Sequence, residues 1–545
     1  MTADTGSDGN RGGGTSPSQP GSTGIDPLDR LGRVHFIGIG GAGMSAVARI
    51  LLARGVAVSG SDAKDSSALQ ELAALGATVH VGHSAAAAGG ADTVVVSSAI
   101  RADNPELVAA RAAGGRVLHR SEALAAAMAG QRVVAVAGTH GKTTTTSMIT
   151  VLLRGAGMDP SFAIGGTVPA LGVNAAHGGS GIFVAEADES DGSFLNYSPQ
   201  IAVVTNVEPD HLDHYGTAEA FYRSFDDFAA LLPAGGLLVA CADDDGALAL
   251  ARRAADAGTR VVLYGRNERA DLVLSAAMDS AGIGTRSTVT LRTPVSAPAD
   301  GAVPAEADAG QLTAYPLQLQ VPGVHNALNA VAALAVALEL GVQPDTAVAA
   351  LQEFSGAARR FEQRGEIAGV RVFDDYAHHP TEVEAALRAA RTVAGGHRVH
   401  VLFQPHLFSR TREFAPEFAR ALRLANSVAV LDIYPAREDP IPGVSSELIT
   451  AVPASPVAPA AQAPSTRAPS TRAPSAMAPS TQAASMPPGE LTYQPDARAA
   501  VAALAGAAEP GDIILTIGAG DVTQYGPWIL DALSSLTSAR TDHGT

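Results

Sequence analysis

The 545-residue chain has one cysteine, few aromatics (4%) and no surplus of positive charge. A lone Cys241 excludes an internal disulfide and fits a reducing compartment. It lies in the apolar run LLVAC, which reads as a buried structural thiol. Lys and Arg total 37 against 54 Asp and Glu, a formal net charge of −17. That balance argues against binding nucleic acid or an anionic membrane by general attraction, but it leaves room for a local cationic phosphate site. No apolar run reaches transmembrane length. Residues 1–26, rich in Gly, Ser, Thr and Asp, lack the apolar core of an export signal. The expectation is a cytoplasmic protein with no membrane insertion, no nucleic-acid partner and no obligate protein partner.

The length suggests about three or four domains, and 46% hydrophobic residues suffice for several cores. With aromatics scarce, Ala and Gly must fill much of the interior. Residues 1–26 read as a disordered arm. Strands alternate with helices from Arg33 onward, which predicts parallel, helix-covered sheets. The first unit is placed at 27–129 (RVHFIG, VAVSGSD, TVVVSSAI, RVLH). The second is placed at 130–350 (QRVVAVAG, GIFVAEAD, QIAVVTNV, GGLLVA), with a long loop near 280–310. The third, at 351–536, holds RVFDDY, HRVHVLF, SVAVLDIY and DIILTIG. Residues 452–489 carry the imperfect repeat APSTRAPSTRAPSAMAPST, whose prolines block ladders and whose side chains bury too little area to offset ordering. They read as a disordered insertion, and 537–545 as a tail.

The most informative segment is VVAVAGTHGKTTTT. A strand runs into Gly138, Thr139, His140, Gly141, Lys142, Thr143 and Thr144, and a helix follows. Glycines let backbone N–H groups curl around phosphates, and the helix N-terminus adds positive potential. Lys142 can reach the β- and γ-phosphates, and the Thr143 hydroxyl can coordinate Mg²⁺. The general phosphate-loop pattern wants one more glycine, where Val136 stands, so the match is a shortened one. Two later strand ends add hard oxygen donors suited to Mg²⁺: Glu186, Asp188, Glu189 and Asp191, then Asn206, Glu208, Asp210 and His211. In an open parallel sheet such ends converge on the ligand crevice; the bland reading is a solvated acidic rim. In HNALNA, Asn326 and Asn329 share a helix face beside His325, and either read an adenine edge, hold a phosphate oxygen, or cap the helix.

In the first unit, GIGGAGMS (Gly38, Gly40, Gly41, Gly43, Met44) followed by Ser61 and Asp62 has the form of a pyrophosphate-binding turn, without choosing the ligand. His83 reads as a surface histidine. In the third unit, Arg359 and Arg360 are candidates to neutralise phosphoryl charge or to form surface ion pairs. FDDYAHHPTE concentrates Asp374, Asp375, Tyr376, His378 and His379; FQPHLFSRTRE adds His406 and Arg410; YPAREDP adds Arg437, Glu438 and Asp439.

Taken in order, GIGGAGMS, SGSD, VVVSSAI, GTHGKTTTT, EADESDGSF, TNVEPDHLDHY, HNALNA, RRFE, DDYAHHPTE, FQPH, SRTRE and YPAREDP resemble the Mur ligases of peptidoglycan synthesis over most of residues 31–525. That family uses the short GTxGKT loop, so Val136 is no objection. The resemblance implies three α/β domains: a Rossmann-like N-terminal domain, a central P-loop ATP-binding domain with a mostly parallel sheet, and a Rossmann-like C-terminal domain. It implies ATP and Mg²⁺, and, for the alanine-adding branch, joining of L-alanine to UDP-N-acetylmuramate through an acyl phosphate. A tripeptide-adding recycling ligase and an inactive wall-synthesis scaffold are the alternatives.

The resemblance implies UDP-substrate contacts from the glycine turn, Ser61, Asp62 and Ser98. It implies ATP contacts from 138–144, His325, Asn326, Asn329, Arg360 and Asp375, and metal ligands Thr143, Glu186 and His211. It places the amino acid at His378, His406 and Arg410, and catalysis on Lys142, His211, Arg360 and His378. Leu407 departs from the family pattern, which often has Arg there, and the 452–489 insertion has no family role.

Overall fold

The computed structural model describes residues 28–275, 278–279, 283–292, 312–436, 438–453 and 489–542. The expected arm 1–26, Arg437, most of the 280–310 loop, residues 454–488 of the expected insertion and the last three residues lie outside them.

Three sheets follow one another along the chain. In the first, five parallel strands lie in the order Thr78–Val81, Val58–Asp62, Val34–Ile37, Thr93–Val96, Arg116–His119. This is a doubly wound arrangement whose order reverses beside Val34–Ile37, at whose end the glycine turn sits. The strand Thr78–Val81 was not foreseen. It is a largely exposed edge strand, TVHV, only four residues long.

In the central sheet, Arg132–Ala137 lies between Ile201–Val204 and Ile182–Glu186, all parallel. The phosphate loop and both acidic strand ends therefore leave the sheet side by side. Leu237–Cys241 and Arg260–Gly265 continue the parallel run. Leu272–Leu274, which adds parallel to Arg260–Gly265, and the antiparallel strands Thr285–Leu291 and Thr313–Leu319 beyond it were missed from the sequence. Cys241 is buried, as expected.

The third sheet runs Glu362–Ile367, Val370–Asp375, Ile513–Ile517, Val399–Phe403, Ser427–Val430, Glu490–Tyr493. Its outer strands were missed: the first is polar and antiparallel, and the last resumes directly after the repeat. Both ends of the repeat-bearing segment reach Arg423, whose guanidinium donates to the Val452 carbonyl and whose own carbonyl accepts from Gly489 N. At the other end, the helix Tyr525–Asp542 runs through the stretch expected to be a frayed tail.

Packing follows the composition. The helix Lys142–Gly155 opens on four consecutive threonines, which are weak helix formers. Three of its hydroxyls are satisfied inside the turn: Thr146 donates to Lys142 O (2.8 Å), Ser147 to Thr143 O (2.6 Å) and Thr150 to Thr146 O (2.8 Å). Burial of Thr143–Leu153 against the Ala-rich helix Val324–Glu339 supplies what propensity does not. The scarce aromatics are spent in cores. Phe221, Phe225 and Phe228 share one face of Ala218–Ala230 and close around Phe194, with ring centroids 4.9–5.4 Å apart.

Candidate active site

Gly138 (φ +133) and Gly141 (φ +82) turn the chain from strand Arg132–Ala137 into helix Lys142–Gly155. A side chain at Gly138 would strike Thr205, and one at Gly141 would meet Asn329 Oδ1 at 3.0 Å. Asn206, read from sequence as a metal donor, instead braces this loop: its Oδ1 accepts from His140 N (2.8 Å) and its amide donates to His140 O (3.0 Å). Thr139 Oγ1 likewise donates to Glu208 O (2.8 Å).

Lys142 Nζ folds back into the loop, donating to Gly138 O (2.7 Å), Thr139 O (3.2 Å) and Glu189 Oε1 (2.8 Å). Burial opposes its charge, but Glu189, Asp188 and Glu186 outweigh burial and raise its pKa. Burial also pushes Glu189 up to about 7 despite Lys142. Asp188 is held down at about 2, against burial, by Lys142 and Arg120. A raised Lys142 beside a raised Glu189 marks a pocket with more carboxylate than cation.

Thr143 Oγ1 donates to Glu186 Oε1 (3.0 Å), and Gly165 N donates to Glu186 Oε2 (2.7 Å). His211, at φ +53, brings its Nε2 to 4.0 Å from Glu189, and its Nδ1 is buried without a hydrogen-bond partner. Burial first, with Arg410 and Lys142 adding, lowers its pKa, so it is a neutral imidazole with a lone pair to give. A hydroxyl, carboxylates, an orphaned imidazole nitrogen and surplus negative charge make a donor set that fits a divalent cation.

Above the loop a cavity of about 160 Å³ opens between the central and third sheets. His140, Gly141 and Thr144 line one wall with His325, Asn326 and Asn329; Arg360, Asp375, Thr381 and Glu382 line the other. Neither asparagine caps its helix: Gly323 holds that position, and Asn326 donates to Pro322 O (2.7 Å). Burial pushes Asp375 up to about 6, with Arg360 and the Ala377 and Phe361 N–H groups opposing. Burial also lowers His325 to about 4.

The neighbouring arginine is not part of the cavity wall. Arg359 turns away at φ +59 to Gly518 O (2.6 Å) and Asp374 (3.3 Å), so of the pair only Arg360 faces the cavity. Asp374, also proposed from sequence, is buried behind the sheet with Thr516 and Thr523.

His378, His406 and Arg410 come together at the same junction. The two rings lie 5.9 Å apart, and Arg410 reaches His406 Nδ1 at 3.3 Å. His378 Nδ1 faces Tyr376 O (3.0 Å) and Glu382 (3.3 Å), so it carries the proton and Nε2 the lone pair. Burial takes His378 down to about 3. Arg410 does not pair with Glu413. It is 5% exposed and donates from one nitrogen to both Asp210 oxygens, 3.1 Å each, across the interface. Despite burial, Arg410 holds the Asp210 carboxyl well below the usual range. Glu438 accepts from Ser409 N (2.9 Å) at the start of the same helix.

In the first sheet, Gly38, Gly40, Gly41, Gly43 and Met44 form the expected turn, and Asp62 Oδ2 braces it by accepting from Gly40 N (3.0 Å). Ser61 is buried and donates to Glu106 (2.6 Å), while Ser98 is exposed. His83 is no plain surface residue: its Nδ1 meets Ser61 Oγ (3.0 Å) and Glu106 (3.2 Å). Sequence reasoning missed Arg120, which packs over Gly43 and donates to Asp188 (2.7 Å), linking the glycine turn to the acidic cluster. Only its place as the first helical residue after the strand Arg116–His119 could have signalled it.

Comparison with known proteins finds matches along most of the chain. Residues 33–132 match the Mur ligase family catalytic domain, 136–337 the Mur ligase middle domain, and 359–520 the Mur ligase glutamate ligase domain. The chain is 61% identical over 517 residues to the UDP-N-acetylmuramate–L-alanine ligase of Renibacterium salmoninarum, covering 95% of this chain and 99% of that one. It is 60% identical to the enzyme of the same name from Paenarthrobacter aurescens, covering 94% and 99%. The crystal structure of UDP-N-acetylmuramate–alanine ligase from Thermotoga maritima superposes with a TM-score of 0.68 at 26% identity, covering 92% and 99%. The chain belongs to the Mur ligase family.

Proposed function

We propose that this chain joins L-alanine to the lactyl carboxylate of UDP-N-acetylmuramate, consuming ATP. The observation that carries the reading is the 61% identity to an alanine ligase over 95% of this chain; the phosphate loop beside the acidic cluster and the third-sheet residues across the cavity support it. The carboxylate attacks the γ-phosphorus and ADP leaves. The amine of alanine then attacks the acyl carbon of the acyl phosphate, and inorganic phosphate departs.

A carboxylate approaching a triphosphate meets like-charge repulsion, which fixed cations reduce. Lys142 leaves Glu189 for the β- and γ-oxygens, and Arg360 meets the phosphates from the opposite wall. Thr143, Glu186 and His211 would hold Mg²⁺, which supplies further charge neutralisation. The UDP part lies on the glycine turn of Gly38–Gly43, with Asp62 stiffening it and Arg120 reaching toward the diphosphate and muramate. Asn326, Asn329, His325 and Asp375 position the nucleotide. His378, neutral at working pH, accepts a hydrogen bond from the incoming amine through Nε2 but is too weak a base to keep its proton. Arg410 and His406 orient the alanine carboxylate. The third sheet covers the cavity and keeps water from the acyl phosphate. Because the reaction draws on ATP and a nucleotide-linked precursor, we place it in the cytoplasm; among the described residues no helix is long and apolar enough to cross a membrane.

The test is substrate-dependent phosphate release. Free alanine with UDP-N-acetylmuramate should support turnover. A preference for a tripeptide, or for free muramate, would transfer the chain to the recycling branch, and no turnover with any pair would favour a scaffold.

A further inference from the structure

A trio of side chains meets at the junction of the central and third sheets, beside the nucleotide cavity. His140 comes from the phosphate loop, Glu208 from the segment after strand Ile201–Val204, and His379 from the start of helix Pro380–Ala394. One donor atom from each lies within 4.8 Å of the other two. His140 Nε2 stands 3.5 Å from Glu208 Oε2, beyond a well-formed hydrogen bond, and is buried without a partner. His379 Nδ1 stands 3.9 Å from the same oxygen and accepts a long cap contact from Thr381 N (3.4 Å); its Nε2 is buried without a partner, and the residue is 5% exposed.

We propose that His140, Glu208 and His379 bind a divalent transition-metal ion of the Zn²⁺ class, and that the bound ion clamps the third sheet to the phosphate loop and slows turnover. The slowing rests on the ligase reading; the binding does not.

Two imidazoles and one carboxylate are the donor set such ions prefer, with a fourth position for water. Tetrahedral ligands at Zn–N and Zn–O lengths lie about 3.4 Å apart, so the two histidine–Glu208 pairs at 3.5 and 3.9 Å need to contract by about 0.5 Å or less, and the whole trio by at most about 1.4 Å. The supporting contacts have the form metal ligands use. His140 Nδ1 faces Glu382 at 3.2 Å and Nε2 faces Glu208, so a bound ion would take the place of the Nε2 proton that otherwise pairs with Glu208. Thr381 Oγ1 donates to Glu208 Oε2 at 2.8 Å and fixes that carboxylate. The His140 and His379 rings pack at 4.6 Å between centroids, tilted by 34°, so little chain entropy remains to be lost. Mg²⁺ prefers oxygen donors and retained waters, so it should ignore this site and fill the Thr143–Glu186–His211 position instead. Because His140 belongs to the loop that must receive the nucleotide and His379 to the opposite wall, one ion would tie both walls together.

The experiment uses the full chain freed of metal by chelation and then held in excess Mg²⁺. Co²⁺ is titrated in as a spectroscopic stand-in. We expect one Co²⁺ per chain, with the visible bands of a four-coordinate nitrogen–oxygen site, displaced by Zn²⁺. His379→Ala and Glu208→Gln should each weaken uptake at least about tenfold, while His211→Ala should leave it. Zn²⁺ should depress ADP formation by the wild type with the same midpoint, reversibly on chelation. No Co²⁺ uptake by the wild type overturns the site whatever the variants do. Uptake lost in His211→Ala but kept in His379→Ala overturns it as well, by assigning the ion to the magnesium position. Full occupancy with unchanged ADP formation overturns the clamp.

Discussion

Arg410→Lys separates a carboxylate-gripping arginine from a structural one. Arg410 spends one terminal nitrogen on Asp210 and touches His406 with the other, while Nε is buried with no partner. A donor held in that state costs free energy until a ligand satisfies it. An adjoining cavity of about 240 Å³, lined by His211, Leu407 and Arg412, has room for a small zwitterion. Lysine keeps the charge toward Asp210 but has no planar fork. Losing one charge-assisted bond to the alanine carboxylate costs about 1.5–3 kcal/mol, or about 10- to 150-fold in the alanine KM. The assay varies alanine at saturating ATP and UDP-N-acetylmuramate, with melting temperature as the check on the Asp210 contact. A large rise in alanine KM with the ATP KM nearly unmoved is expected. An unchanged alanine KM in a folded variant refutes the reasoning and leaves Arg410 as a strut of the interface.

Lys142→Ala should cut ADP formation by at least about 10²–10³-fold while leaving the melting temperature near wild type; turnover at the wild-type rate would remove Lys142 from the phosphate site. His140 is held up at about 9 by Glu382 and Glu208 acting against burial, well above its ordinary 6.5. A raised pKa contributes stability that is full below about 6.5 and lost as pH rises through about 9. The wild-type melting temperature should therefore fall over that window, and His140→Gln should flatten the fall; parallel curves would contradict the ion pairing. Since both ends of the repeat-bearing segment meet at Arg423, removing residues 456–485 with a short flexible join should keep most activity, because loop length enters closure entropy only logarithmically. Insoluble protein or a large loss of turnover would show that the segment packs or acts.

What the sequence revealed divides along physical lines. The phosphate loop was legible because its chemistry is local: glycines at positive φ, a lysine and a threonine within six residues of each other. Central strands were legible as apolar runs. The edge strands Thr78–Val81, Glu362–Ile367 and Glu490–Tyr493 were not: TVHV and ELTY are four-residue alternations too short to stand out, and EQRGEI is polar almost throughout. Arg359 and Arg360 are indistinguishable as letters, and only the positive φ at Arg359 sends one to Gly518 and leaves the other facing the cavity. Asn206 carries the donors of a ligand but spends them on a backbone, and Glu106, read as nothing in particular, is fully buried beneath His35, Ser61 and His83. Such roles depend on what folds alongside, which one chain read alone does not display.

The most direct test of the ligation account follows oxygen. UDP-N-acetylmuramate labelled with ¹⁸O in both oxygens of its lactyl carboxylate is incubated with the protein, ATP, Mg²⁺ and L-alanine, and the product and the released phosphate are weighed by mass spectrometry. Attack of the carboxylate on the γ-phosphorus, followed by displacement at the acyl carbon, predicts the UDP-muramoyl-alanine mass retaining one ¹⁸O and one ¹⁸O in each phosphate released. Phosphate free of label, or ADP formed with no alanine-bearing product, would contradict it.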